Sequence, residues 1–137
     1  MRALPEGRHR VGLDVVSVQR LENLLSEHAN ATEELFTPAE IAYSHARRRP
    51  MEHLAGRFAA KEAAFKALGV DPVLGPAWLD IEVHPTPSGR PTLRLGGETL
   101  RWAQHAGLRE IEVSITHAAG LAVANVLVVF EAPSLAD

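Results

Sequence analysis

Lys61, Glu62 and Lys66 stand close together, and a second acid, Asp14, stands inside an apolar stretch near the N-terminus. Glu62 and Lys66 are spaced i, i+4, which puts them on one helix face a turn apart. Two ammonium groups and a carboxylate on a rigid helix suit a metal ion and the phosphates it binds. The ordinary alternative is a solvated Glu–Lys surface pair, which stabilises a helix by only about 0.2–0.5 kcal/mol. Asp14 poses a sharper question. An ionised carboxylate inside an apolar strand is costly unless it is paired or binds a cation. Otherwise it sits at the strand end and caps the next helix.

These residues need elements to position them. Residues 56–69 are Ala-rich, with Phe58 and Phe65 on one stripe and Gly69 as a C-cap, so the main helix is predicted over about 51–68. Residues 11–16 read as a short buried strand carrying Asp14. A helix over 17–28 follows, with Leu21, Leu24, Leu25 and His28 inward and Arg20 exposed. Residues 30–34 form a polar connection. Thr37, Pro38 and Glu40 make an N-cap, a first-turn proline and a capping box, opening a helix that ends near Arg47, Arg48, Arg49 and Pro50. Those arginines invite a phosphate or an acidic partner, or else form a solvated last turn that complements the helix dipole.

Residues 70–77 are a Gly- and Pro-rich loop. Residues 78–84 alternate as a strand with Leu79, Ile81 and Val83 on one side, then pass through a turn at 85–91 into a second strand at 92–95. A helix is expected over 98–106, capped by Gly107. A strand through Ile111, Val113 and Ile115 ends at Ser114-Ile115-Thr116-His117, and a turn at 118–120 leads into the strand 121–130. That last run is too short to span a bilayer and reads as a buried strand; 132–137 is a tail.

Composition narrows the function. The 137 residues suffice for one domain with a core, and 46% hydrophobic content argues against disorder. A net charge of −3 gives no basic footprint for nucleic acid. The absence of cysteine excludes disulfides and thiolate metal sites. The first ten residues lack an apolar core, so no signal peptide is expected; with no span in view, a soluble cytoplasmic protein without a membrane partner is. The expected fold is α+β, a mostly antiparallel sheet with helices packed on it, in a single domain over 1–137 with its core at about 11–130.

Three motifs, in this order, resemble the small single-domain 4′-phosphopantetheinyl transferases of the holo-acyl-carrier-protein synthase type. They are Gly12-Leu13-Asp14; Phe58 to Gly69 with Lys61, Glu62 and Lys66; and Ser114 to His117 before an Ala-rich strand. Residues 78–83 and Gly89-Arg90-Pro91 also look like the family. The resemblance implies Mg²⁺-dependent transfer of the 4′-phosphopantetheine arm of coenzyme A to a serine of an apo acyl carrier protein, with release of adenosine 3′,5′-bisphosphate. It gives Asp14 and Glu62 to the metal, and Glu62, Lys66 and Asp14 to catalysis. Lys66 would neutralise the pyrophosphate. Lys61 would be a second phosphate contact or a structural cation, and Arg57, Gly89, Arg90, Pro91 and His117 would meet the coenzyme. The ordinary readings are a hairpin turn at 89–91 and, for His117, a strand-end histidine satisfied by backbone. The serine comes from the carrier, so the base is Glu62 or a metal-bound water. Arg20 would contact the acidic carrier, although Glu22 and Glu27 make its helix less basic than expected. Ala118 after His117 and the longer N-terminus also depart from the pattern. A homotrimer with the coenzyme between subunits is implied. Fatty-acid, polyketide and peptide-synthetase carriers stay open.

Two other functions compete. A relative that binds coenzyme A or a carrier without turnover is disfavoured by the intact charged set. A nucleotide phosphohydrolase is disfavoured because the seven histidines are scattered without metal-ligand spacing.

Overall fold

A computed structural model describes residues 8–71 and 77–132. Strand β1 (Arg8–Ser17) leads into helix α1 (Val18–Glu27), a short α2 (Ala31–Leu35), α3 (Pro38–His45) and the long α4 (Pro50–Leu68). A turn of helix, α5 (Ala77–Asp80), precedes the hairpin β2 (Ile81–Pro85) and β3 (Pro91–Leu95). Helix α6 (Gly97–His105) then precedes the hairpin β4 (Leu108–Ala118) and β5 (Leu121–Phe130). The sheets are antiparallel, one of order β1-β5-β4 and one of β2-β3. This is the expected α+β arrangement. No helix among the described residues is long and apolar enough to cross a membrane.

Helix α4 is the hub, lying across β1 and β5. Its alanines at 55, 59, 60, 63, 64 and 67 are fully buried, because only small side chains let two strands approach the helix along its length. Gly12 of β1 makes the closest approach. A Cβ there would overlap the Ala63 carbonyl oxygen and crowd the Ala67 amide at 2.8 Å. Gly69 ends α4 in the left-handed conformation and returns its N–H to the Phe65 carbonyl, as the sequence suggested.

Several expectations shift. Strand β1 extends beyond 11–16 at both ends. Ser17, not Asp14, caps α1: its hydroxyl accepts from the Arg20 amide. Only Leu21 of the predicted inner face is buried; Leu24 and His28 are exposed, because α1 is covered on one side only. Most of the polar 30–34 segment belongs to α2, and α5 takes in residues 78–80, expected as strand, leaving Leu79 exposed. The run 121–130 is buried on one face: Ala122, Ala124, Val126 and Val128 point inward while Leu121, Asn125 and Leu127 face out. Residues 72–76 of the predicted loop and 133–137 of the tail lie outside the described residues.

Candidate active site

The close β1–α4 packing sets Asp14 beside Glu62. Asp14 Oδ1 accepts from Lys66 Nζ at 3.1 Å, and the same ammonium donates to the Leu13 carbonyl at 3.0 Å. The Glu62 carboxyl titrates above its ordinary value, first because it is partly buried and then because the Asp14 charge repels a second anion; Lys66 opposes both. Asp14, Glu62, Ser17, Arg20, Leu24 and Phe58 are among the residues that line one open cavity of about 330 Å³. Asp14, Glu62 and Arg20 thus share one cavity, and Lys66, which is not in its lining, reaches it through Asp14.

The donor set fits Mg²⁺. That ion takes few protein carboxylates and completes its shell with water and substrate phosphate oxygens. Asp14 and Glu62 could supply two; among the described residues no group of three or more His, Cys, Asp or Glu side chains assembles.

A second cavity, about 170 Å³, adjoins the N-terminal half of α4. Arg57, His117, Gly89 and Pro91 line it, as do Tyr43 and His53. Gly56 lets β4 come close here, since a Cβ would meet His117 Nε2 at 2.9 Å. His117 Nε2 lies 2.8 Å from the Glu52 carbonyl, which can only accept, so Nε2 carries the hydrogen. His117 thus has the backbone partner of its ordinary reading and a face on the cavity. The Arg57 guanidinium lies over the Tyr43 ring at 4.0 Å, and Nη1 reaches the His53 carbonyl at 3.5 Å. Burial lowers the Arg57 pKa, and Tyr43 offsets part of that. Arg47 stacks on Tyr43 at 3.4 Å, so one of the three arginines joins this cluster; Arg49 pairs with Glu52 on the surface.

One assignment is corrected. Lys61 is no phosphate contact: its ammonium is fully enclosed and donates to Glu40 Oε1 at 2.6 Å, the Leu35 carbonyl at 2.7 Å and the Trp78 carbonyl at 2.9 Å. Three protons meet three acceptors, so it is the structural cation. Arg90 is exposed and pairs with Glu112 at 3.3 Å; it is not among the cavity residues, whereas its neighbours Gly89 and Pro91 are. The sequence reading missed Tyr43 and His53. Helical spacing was the available signal, since His53 stands four residues before Arg57 and Tyr43 four before Arg47.

A family profile described as the 4′-phosphopantetheinyl transferase superfamily matches residues 10–124. A holo-[acyl-carrier-protein] synthase of Moorella thermoacetica is 43% identical over 118 residues, covering 85% of this chain and 91% of that protein. One from Geobacter sulfurreducens is 41% identical over 123 residues, covering 89% and 96%. Among solved structures, the Chronobacterium ammoniagenes ACPS–CoA complex superposes with a TM-score of 0.82 at 32% identity, covering 90% of this chain and 98% of that one. The Helicobacter pylori holo-[acyl-carrier-protein] synthase in complex with coenzyme A gives 0.73 at 31%, covering 86% and 98%.

Proposed function

The chain belongs to the holo-[acyl-carrier-protein] synthase family of 4′-phosphopantetheinyl transferases, and from that premise we propose how its residues move the phosphopantetheine arm of coenzyme A onto a carrier serine. The observation that carries the reading is the convergence of Asp14, Glu62 and Arg20 on one cavity, with Lys66 on Asp14. The reaction is phosphoryl transfer, in which positioning and charge stabilisation do most of the catalysis.

Asp14 and Glu62 would hold Mg²⁺. Bound there, the ion would neutralise charge on the pyrophosphate. Lys66, about half exposed, can leave Asp14 for a substrate oxygen and stabilise the departing adenosine 3′,5′-bisphosphate. The base for the incoming serine hydroxyl is Glu62 or a metal-bound water, both of which stand at this cavity once the ion is bound. The second cavity takes the coenzyme's nucleotide end, with Arg57 and His117 toward its phosphates and the Gly89–Pro91 backbone toward the base. Arg20, at the rim of the first cavity, meets the acidic carrier. The sheet's outer face leaves Val11, Leu13, Val15, Leu121 and Leu127 substantially exposed, which supports assembly of copies, a homotrimer, across that face.

Intact-protein mass spectrometry tests the reading. Apo acyl carrier protein is mixed with coenzyme A, Mg²⁺ and the chain, beside Glu62→Gln and EDTA controls. One phosphopantetheine added to the carrier and a rate at least about a thousandfold lower in both controls are expected. Coenzyme A binding without any mass gain on several carriers would favour the non-catalytic relative instead.

A further inference from the structure

His53 has no role in the reading above, yet it stands in the wall of the nucleotide cavity. Its ring meets the edge of Tyr43 at 5.8 Å between centroids and faces His117 of β4 at 6.3 Å. Arg57 lies one turn further along the same helix, and Arg47, just after α3, also lies over the Tyr43 ring. The β2–β3 turn contributes only Pro85, Gly89 and Pro91 to this wall. We propose that His53 is a coenzyme-binding residue of this cavity that gains a proton when the coenzyme's phosphates enter, adding a cation to the pocket only while it is filled. This rests on the cavity being the coenzyme's nucleotide site.

The geometry explains why the proton should arrive with the ligand. Burial first and then the charges of Arg57, His117 and Arg47 hold His53 below its ordinary pKa, while Glu52 pulls it up. Near pH 7 the imidazole is therefore neutral, and the pocket is spared mutual repulsion among its cations. Coenzyme A brings a pyrophosphate and a phosphate monoester. Anionic oxygens at the Arg57–His117 side of the cavity oppose the cations' field at His53 and favour the imidazolium. A histidine that merely packs on Tyr43 would show no such coupling.

The test is calorimetric titration of coenzyme A into the whole chain at pH 7.5, in buffers of different ionisation enthalpy, for wild type, His53→Phe and His53→Gln. Phe keeps a ring on Tyr43 and Gln keeps a polar tip, so misfolding of one does not silence the other. Wild type should take up about 0.3–1 proton per site, and both variants distinctly less. The KM for coenzyme A should rise about three- to tenfold from pH 6.5 to 8.5 in wild type and more shallowly in the variants, with kcat little changed. Binding without proton uptake, or with equal uptake in the variants, would overturn the role of His53 and leave the cavity assignment standing. Failure of the wild type to bind coenzyme A would overturn the cavity assignment and this inference with it.

Discussion

Lys61 and Glu62 are neighbours in sequence, and their charges have opposite fates. Lys61 points into the protein, where Glu40 and two carbonyls consume its protons and water is excluded. Glu40 is itself well satisfied: it also accepts the Thr37 amide at 2.9 Å and the Val83 amide at 3.0 Å. Glu62, one step round the same helix, lines an open cavity and faces a like charge. The sealed cluster ties α2, α3, α5 and β2 to α4 and has no capacity left for a ligand. The open cluster is electrostatically incomplete, and that incompleteness is what a metal ion and a pyrophosphate can relieve. Adjacent charges of opposite sign are thus divided between a sealed interior and an open cavity.

The largest effect comes from breaking the sealed side. Lys61→Ala leaves the Glu40 charge buried without its cation, and removing one partner of such a pair costs about 3–5 kcal/mol. For a chain of this size that is a melting temperature lower by roughly 10–20 °C in differential scanning calorimetry. Lys61→Ala enzyme assayed while folded should keep most of its transfer activity. Loss of activity with unchanged melting would mean that Lys61 works in the reaction after all.

How much of this division could be read in the sequence differs on the two sides. The Thr37–Glu40 capping box was legible because both partners lie within one turn, and it forms as expected. Nothing local announced that the same Glu40 would reach Lys61 and Val83, since those contacts depend on how α3 and β2 fold back on α4. Lys61, Glu62 and Lys66 carry the same kind of signal in a motif, and only burial separates the structural cation from the open pair. The strand with Asp14 was found from its apolar run, but its extension to Arg8 follows from the ten-residue register with β5, a long-range pairing. Leu24 and Leu79 fit the periodicities and are nonetheless exposed, because periodicity reports which side of an element is apolar and not what covers it.

A smaller effect should follow from prising the two elements of the open site apart. In Gly12→Ala the added methyl overlaps the Ala63 carbonyl, so β1 must lift from α4 and carry Asp14 away from Glu62. Overpacking of this kind costs about 1–3 kcal/mol. A displacement near 1 Å at a catalytic pair lowers the rate about a hundredfold. The expected signature is the converse of Lys61→Ala: transfer falls far more than the modest loss of thermal stability accounts for. Near wild-type kcat/KM would show that the Asp14–Glu62 spacing does not limit the reaction.

The smallest effect is the most telling, because its sign is opposite. Glu62 titrates above its ordinary value in the folded chain, through burial and the Asp14 charge. Between the unfolded and folded pKa values the native state holds the proton more often than the unfolded state does. Stability therefore falls as pH rises through that window, and the full penalty persists above it. Glu62→Gln removes the ionised form and the repulsion with it. Without metal, at pH 7.5, the variant should melt above wild type by about 1–2 °C, a gap kept small by solvent screening at an open site. The gap should close as pH falls toward 4, where wild-type Glu62 is protonated. Thermal scans from pH 4 to 8 in EDTA read this directly. A variant that melts lower at pH 7.5 would mean that the attraction of Lys66 outweighs Asp14 and that the site is content when empty. A variant that melts higher while losing transfer would mean that the fold holds Glu62 charged at its own expense, as a site poised for a cation must.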